Sequence, residues 1–283
     1  MIFLPLLFLS VLFDQSEDPA TFYLSSSSLN DISLIPPHIS SSSPPLLLYS
    51  APFPILPAFT SDDQRRLTNA QTNQFPYSAV VLLRLQNNQG EWYSCSGWYI
   101  DSNSIVTAAH CVYDTYENEY FRIALIIPAT DQEQPPCEIE YSRQFYVTRS
   151  WQAAQPQEPG KVPYEAVAED YAIINVATSH PSWLAITSPI PNAPLFTAGY
   201  PAALKKERMV TNSGQLMVIN RMNQIIHHNA YVGNGMSGGP ILIYTDSTWK
   251  VVSINSTRRW GPLLDSWAIN TLLEWAQKND QKK

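Results

Sequence analysis

Two short segments contain the residues best suited to nucleophilic chemistry. Residues 107–111 place His110 at the end of an apolar run, directly before Cys111. Residues 233–240 place Ser237 in a turn rich in glycine. A histidine can take the proton of a serine hydroxyl, and a glycine-rich turn can direct backbone N–H groups at a reacting oxygen. Together the two segments predict acyl transfer by a serine nucleophile with a histidine base.

The imidazole needs a carboxylate to orient it and to stabilise its charge. Asp170 is favoured because it begins the apolar run 171–176, where a carboxylate is held at the entrance of a strand. Asp114 and Asp131 are the alternatives, and both lie in predicted loops. The remaining histidines have no comparable pattern around them: His38, His180, His227 and His228.

The glycines around Ser237 predict how the turn acts. Glycine tolerates positive φ and lets the backbone approach a ligand closely. We expect the N–H groups of Gly235 and Ser237 to bind the tetrahedral oxyanion. The alternative is a tight turn between two strands with no chemical role.

From Tyr77 onwards the chain consists of short apolar runs separated by turn residues, which is typical of barrels or a sandwich. One segment near the end differs, because its apolar residues follow helical spacing after a possible cap at Asp265 or Ser266. The sequence therefore predicts an all-β protein with a C-terminal α-helix. The predicted strands are residues 79–85, 121–127, 171–176, 216–219, 241–244 and 250–254.

Composition limits the possible partners. The 283 residues are 45% hydrophobic with a net charge of −7, which fits a globular chain of one large or two small domains. Since no cluster of Lys and Arg is present, we expect no nucleic acid partner. The scattered histidines and three cysteines have no zinc-ligand spacing, so neither a metal nor another cofactor is expected.

The N-terminal region divides into two predicted segments. Residues 1–13 are nearly all apolar and too short to span a bilayer, which takes roughly 20 residues. They form a possible signal segment, which predicts secretion without stable membrane insertion; the alternative is an unprocessed or wrongly predicted N-terminus. Residues 14–65 are rich in serine and proline and are interpreted as a prosegment or linker.

The three cysteines cannot all pair within the chain. Cys95 and Cys111 flank two short apolar runs, and a hairpin of these runs would bring them side by side, so we expect a disulfide there. Cys137 is left as a free thiol on a predicted loop.

Several motifs resemble those of the chymotrypsin-like serine peptidases, and within them the bacterial-type glutamyl endopeptidases. The resemblance covers roughly residues 62–277. Its specific parts are the histidine and serine segments already described. The other matching segments are residues 62–77, 95–98, 169–174 and 199–201.

The resemblance implies two six-stranded antiparallel barrels, with the active site in the cleft between them. The expected barrels span residues 66–185 and 186–283, and the second includes the terminal helix. In this family pattern His110 is the general base, Asp170 orients it and Ser237 attacks the scissile carbonyl. Ser256 matches the serine that supports the aspartate and lines the substrate strand.

Several positions depart from the family pattern. Met236 replaces the aspartate that pairs with a newly cut N-terminus in chymotrypsin, so no such ion pair is expected, although removal of the first 65 or so residues remains a possible requirement. Asn255 and Val232 stand where glutamyl endopeptidases have a histidine and a hydroxyl residue, and Tyr231 stands where trypsin has an acid. We therefore predict a preference for an apolar or small substrate side chain.

Two nearby features bear on this specificity site. Arg258 and Arg259 could contact an acidic side chain, although solvated loop charges are the simpler interpretation. Residues 255–257 form a glycosylation sequon, which we predict to be unmodified because a glycan would block the predicted pocket.

The leading hypothesis is a secreted, monomeric serine endopeptidase that acts on proteins or peptides. The alternative is a catalytically inactive, protease-like binding module. An esterase of the α/β-hydrolase class is disfavoured, because that class has the order Ser, acid, His and alternating helices. Here the order is His110, Asp170, Ser237.

Overall fold

A computed structural model describes residues 68–130, 138–154, 161–204 and 207–279. The predicted signal segment, residues 1–13, and the predicted prosegment or linker, residues 14–65, lie outside the described residues, as do Asp131 and Cys137. The described chain forms two large, mostly antiparallel sheets and a small third one.

The strands form mainly where buried runs rich in Val, Ile and Leu recur, as in residues 80–85, 104–107, 172–175 and 240–243, because β-branched side chains favour a pleated sheet. They are, in chain order, β1 (Thr68–Asn69), β2 (Val80–Gln86), β3 (Trp92–Tyr99), β4 (Ser104–Thr107), β5 (Tyr113–Asp114), β6 (Glu119–Tyr120), β7 (Ile123–Pro128), β8 (Glu140–Ser142), β9 (Gln144–Val147), β10 (Ala172–Asn175), β11 (Ala185–Ile186), β12 (Pro194–Gly199), β13 (Val210–Asn220), β14 (Ile225–His228), β15 (Pro240–Thr245), β16 (Thr248–Ile254) and β17 (Trp260–Pro262).

Two α-helices and three 3₁₀ turns complete the described elements. The helices are α1 (Arg149–Gln152) and α2 (Ser266–Gln277). The 3₁₀ turns are Tyr77–Ala79, Ala109–Cys111 and Tyr164–Glu169. Among the described residues no helix is long and apolar enough to cross a membrane.

The first sheet has the strand order β8-β7-β2-β3-β4-β10-β9. Its two edge strands are separated in the chain only by Arg143, so the sheet must curl until its edges meet. The Ser142 hydroxyl of β8 accepts from the Gln144 N–H of β9 at 3.1 Å, and it donates to the Asn175 carbonyl of β10, the neighbour of β9, at 2.5 Å. The sheet is therefore a barrel, called here the first barrel. Its seven strands correspond to the predicted six because β8 and β9 are one strand bent at Arg143.

The second sheet has the order β11-β16-β15-β12-β13-β14-β17, with β1 also paired to β13. It is called here the second barrel. Gly261 in β17 lies so close to the Ile254 carbonyl and the Ser253 hydroxyl that no Cβ would fit, which lets β17 lie across β16. This sheet has eight strands instead of the predicted six, because the two-residue strands β1 and β11 extend it.

The predicted C-terminal helix is confirmed as α2. The Asp265 side chain caps it by accepting from the Ala268 N–H at 2.9 Å. The helix buries Ala268, Leu272 and Ala276, and the Asn175 amide of β10 donates to its last turn. The helix therefore packs against the first barrel although it follows the second in the chain. The predicted division at residues 185 and 186 stays a prediction.

Candidate active site

His110 lies in the Ala109–Cys111 turn directly after β4, a strand whose four residues are all buried. The predicted Cys95–Cys111 disulfide is present, and it fixes the residue next to His110 to β3. Only 7% of His110 is exposed, so its ring sits in a pocket that largely excludes water.

Asp170 follows the Tyr164–Glu169 turn and precedes β10, as the sequence predicted. Its Oδ1 accepts from the His110 backbone N–H at 2.9 Å, and its Oδ2 lies 2.7 Å from His110 Nδ1. The Ser256 hydroxyl donates to the same Oδ2 at 2.5 Å. A fully buried carboxylate needs such donors to remain charged. Because a carboxylate only accepts hydrogen bonds, this contact favours the His110 tautomer that donates from Nδ1.

The alternatives to Asp170 have other positions. Asp114 accepts from the backbone N–H groups of Tyr116 and Glu117 in an exposed turn, which is a local structural role. Asp131 lies outside the described residues.

Ser237 is 4% exposed and lies in the turn between β14 and β15. Its carbonyl oxygen accepts from the Ser96 N–H of β3 at 2.7 Å and lies 3.8 Å from Cys111 Sγ. The turn is therefore seated against the strand and the disulfide that position His110. Gly235 has a φ of +89°, and a Cβ there would lie 2.5 Å from the Tyr200 carbonyl oxygen, so only glycine fits.

The peptide planes around Ser237 orient the predicted oxyanion donors. The Asn234 carbonyl accepts from Ala202 N–H at 2.7 Å, and the Met236 carbonyl accepts from Gly239 N–H at 3.0 Å. Because C=O and N–H point in opposite directions across a trans peptide, these two bonds direct the N–H groups of Gly235 and Ser237 away from them. Among the described residues no hydrogen bond uses either N–H.

Met236, the departure from the chymotrypsin pattern, is fully buried. It packs with Val210 and Val232 in a small apolar cluster, with Leu204 at its border. Such a cluster offers no partner for a charged N-terminus.

The predicted specificity residues adjoin this turn. Tyr231 is half-buried, and its N–H donates to the Asn212 side chain at 2.8 Å. The Asn255 carbonyl accepts from Gly238 N–H at 2.8 Å, while its own N–H donates to the Gly239 carbonyl at 2.9 Å. The Asn255 amide group is fully buried and has no hydrogen-bond partner within the described part of the chain. Arg258 and Arg259 are exposed.

One cluster has the donor types of a metal site. The ligand atoms of Cys95, His110 and Cys111 all lie within 4.8 Å of one another. Both sulfurs belong to the disulfide, however, so neither is the thiolate that a metal requires. This cluster does not fit a metal.

Sequence reasoning missed Ser96 and undervalued His228. Ser96 is a small polar residue in the buried half of β3, and its partners in the turn lie about 140 positions away in the sequence. His228 is fully buried in β14, whereas the sequence offered only two adjacent histidines without a pattern.

Comparison with known proteins agrees with this geometry. The chain is 25% identical over 197 residues to the glutamyl endopeptidase of Bacillus licheniformis, covering 70% of this chain and 58% of the relative. It thus spans less than two thirds of that relative's length. A solved Glu endopeptidase superposes with a TM-score of 0.61 at 19% identity, covering 75% of this chain and 96% of that one. The structure of the protease Anisep from Arthrobacter nicotinovorans superposes with a TM-score of 0.57 at 19% identity, covering 71% of this chain and 96% of that one.

The structural neighbours establish the chymotrypsin-like fold. A family model described as trypsin-like peptidase domain matches residues 95–254, which is more than half of the chain and includes His110, Asp170 and Ser237. The chain belongs to the trypsin-like peptidase domain family.

Proposed function

We propose that this chain is a serine endopeptidase that hydrolyses peptide bonds through an acyl-enzyme. Ser237 is the nucleophile, His110 the general base and Asp170 the group that orients the base. The observation that supports this most strongly is the buried Asp170 carboxylate. Its Oδ2 lies 2.7 Å from His110 Nδ1 and accepts a hydrogen bond from the Ser256 hydroxyl. A carboxylate in this position stabilises the imidazolium that forms when His110 takes the proton of Ser237.

The first half-reaction follows from these roles. Ser237 Oγ attacks the scissile carbonyl carbon while its proton passes to His110 Nε2. The carbonyl π electrons move to oxygen, and the N–H groups of Gly235 and Ser237 bind the resulting oxyanion. When the oxyanion collapses, the C–N bond breaks and His110 gives its proton to the departing amine. The product is an acyl-enzyme on Ser237.

Water completes the cycle by the same route. His110 takes a proton from water, and the hydroxide oxygen attacks the acyl carbon. The second oxyanion uses the same two N–H groups. Its collapse breaks the bond to Ser237 Oγ, which regains a proton from His110, and the carboxylic acid product leaves.

We propose an apolar or small substrate side chain before the scissile bond. Val232 is buried in an apolar cluster, and Asn255 and Tyr231 carry no charge at pH 7. Nothing at these three positions supplies the cation that an acidic side chain would need. This specificity differs from the one that the name of the Bacillus licheniformis relative implies.

Secretion and activation by processing are also proposed. The disulfide fits an oxidising compartment, and the apolar residues 1–13 fit a signal segment. Removal of residues 1 to about 65 would activate the chain without an ion pair to Met236, whose surroundings are apolar. We expect the enzyme to be a monomer.

The test is cleavage of a diverse peptide library by the wild-type chain and by Ser237→Ala, each also prepared to begin near residue 66. Loss of this nucleophile is expected to lower turnover by about 10⁶-fold. Ser213→Ala, an exposed serine on β13, is the matched control and should leave cleavage unchanged. Cleavage that persists in Ser237→Ala contradicts the proposal. A folded wild-type chain that cleaves nothing favours the binding module.

A further inference from the structure

The turn that contains Ser237 is held by four successive carbonyl groups. Two of them, those of Asn234 and Met236, are bound from within the second barrel, as described above. The other two, those of Gly235 and Ser237, are bound by a single residue of the first barrel, Ser96. Its hydroxyl donates to the Gly235 carbonyl at 2.8 Å, and its backbone N–H donates to the Ser237 carbonyl at 2.7 Å.

Every polar group of Ser96 is engaged in this arrangement. Its hydroxyl also accepts from the Tyr200 N–H at 2.9 Å, and its carbonyl accepts from the Thr107 hydroxyl at 2.8 Å. The residue is fully buried, so water cannot replace any of these partners. Thr107 ends the strand that leads to His110, and Tyr200 precedes the segment whose Ala202 binds the Asn234 carbonyl.

Two hydrogen bonds fix the middle of the turn: the Ser96 hydroxyl binds the Gly235 carbonyl, and the Met236 N–H of the same peptide plane donates to the Gly233 carbonyl at 3.0 Å. The Ser96 bond is the one that ties this plane to the first barrel. The two oxyanion donors belong to the peptide planes 234–235 and 236–237, and the plane between them carries the Gly235 carbonyl. Gly235 has a φ of +89° and no Cβ, so its backbone torsions have little intrinsic restraint. If the central plane rotates, the relative direction of the two flanking N–H groups changes with it.

We propose that Ser96 is a positioning residue for the oxyanion donors, the N–H groups of Gly235 and Ser237. Its hydroxyl acts through the Gly235 carbonyl, to which it donates a hydrogen bond. The inference rests on the proposed function, because it concerns the same N–H groups. Ser96 does not touch the substrate. Its effect on the reaction comes from holding the donors where charge develops, an effect that differs from its contribution to stability.

The test compares Ser96→Ala with Ser253→Ala in the active enzyme. Ser253 is the matched control, since it is equally buried and its hydroxyl also donates to a backbone carbonyl, that of Pro262 at 2.6 Å, away from the turn. Ser96→Ala should lower kcat by about 10- to 100-fold with KM changed less than about twofold, because misplaced donors weaken transition-state binding. Ser253→Ala should lower the Tm similarly but keep kcat.

A second readout separates positioning from stability. A peptidyl trifluoromethyl ketone forms a hemiketal whose oxyanion needs the same donors. Its Ki should rise in Ser96→Ala by the same factor as kcat/KM falls. If Ser96→Ala does not fold, Ser96→Gly replaces it, because glycine also lacks the hydroxyl and fits the same buried site.

The outcomes separate this inference from the proposed function. An active wild-type enzyme with unchanged kcat and Ki in a folded Ser96 variant overturns the positioning role alone. Equal losses in the Ser96 and Ser253 variants also overturn it, because they indicate a general effect of lost stability. A folded wild-type chain without turnover overturns the proposed function and this inference together.

Discussion

Asp170 illustrates how a few hydrogen bonds determine chemistry at the scale of a residue. The carboxylate is fully buried, and it is bound by the His110 backbone, the His110 ring and the Ser256 hydroxyl. The backbone bond fixes the position of the carboxylate, while the ring contact fixes the tautomer of the imidazole. A buried carboxylate without these donors would cost several kcal/mol of stability.

Asp170→Asn should lower kcat by about 10⁴-fold with little change in KM, because an amide N–H facing Nδ1 favours the wrong tautomer of His110. The measurement is steady-state kinetics on the best peptide from the library. Asp114→Asn is the control, since the hydrogen bonds that Asp114 accepts within the described ranges come from its own turn, and it should keep full activity. Comparable losses in both variants would contradict the role given to Asp170.

The sequon at residues 255–257 gives a second prediction at this scale. Asn255 and Ser256 are fully buried, and Thr257 is 2% exposed. A glycan on the Asn255 amide has no room in the folded chain, so we expect folded, secreted protein to have none there. Peptide mass spectrometry of protein secreted from a glycosylating host is the measurement. An occupied Asn255 would mean that the specificity site is placed wrongly.

At the scale of elements, the disulfide and the strands around it position the base and the nucleophile together. Cys95 lies in β3 and Cys111 ends the turn that carries His110, with Cα atoms 6.3 Å apart. Ser96, next to Cys95, then contacts the turn of the second barrel. The middle of β3 thus connects both halves of the site.

The double variant Cys95→Ala/Cys111→Ala should lose about 3 kcal/mol of unfolding free energy, the usual contribution of a bond that closes a loop of this length. This loss is estimated from the 16-residue separation of Cys95 and Cys111 in the sequence. Denaturant unfolding is the measurement. We also expect a lower kcat, because the residue next to His110 loses its anchor. An unchanged free energy would show that the packing of β3 and β4 alone holds the hairpin.

The sequence predicted those elements whose signals are local. The Cys95–Cys111 hairpin, the β-rich core and helix α2 were all predicted, because apolar spacing and capping act within a few residues. The bend at Arg143 was missed, since it depends on both edges of one sheet meeting. The pairing of β1 with β13 was also missed, because two residues are too short for a periodic signal.

The candidate site follows the same rule. His110, Asp170 and Ser237 stand in motifs that the sequence displays directly, and the structure brings Asp170 to His110. Ser96 lacked any such signal, because the Gly235 carbonyl and the Tyr200 N–H that bind its hydroxyl are brought to it by the packing of one barrel against the other. The preferred substrate side chain likewise depends on pocket shape rather than on a motif.

At the scale of the whole molecule, the buried His228 links stability to pH. Burial lowers the pKa of His228 to about 3, and the nearby positive groups His227 and Arg259 act in the same direction, against the Ala230 backbone. In the unfolded chain the pKa is about 6.5. The unfolded state therefore binds more protons between these values. The contribution of the uncharged, buried His228 to the free energy of unfolding is therefore fully present above pH 6.5. It is lost as the pH falls toward 3.

We expect the unfolding free energy to fall by up to about 1.4 kcal/mol per pH unit from His228 alone below pH 6. Urea unfolding of the wild-type chain and of His228→Gln at several values between pH 7 and pH 4.5 measures the difference in slope. His227→Gln is the control, because His227 is half-buried and stacked on Trp260. Parallel slopes for wild type and His228→Gln would contradict the assignment.

The central claim is that His110 activates Ser237, and covalent labelling tests it most directly. Intact-protein mass spectrometry after treatment with a fluorophosphonate should show one adduct on the wild-type chain, mapped to Ser237 by peptide analysis. The adduct should be absent in Ser237→Ala and its formation strongly slowed in His110→Ala, with Ser213→Ala labelled like the wild type. A folded wild-type chain that stays unlabelled, or an adduct on another residue, would contradict the account.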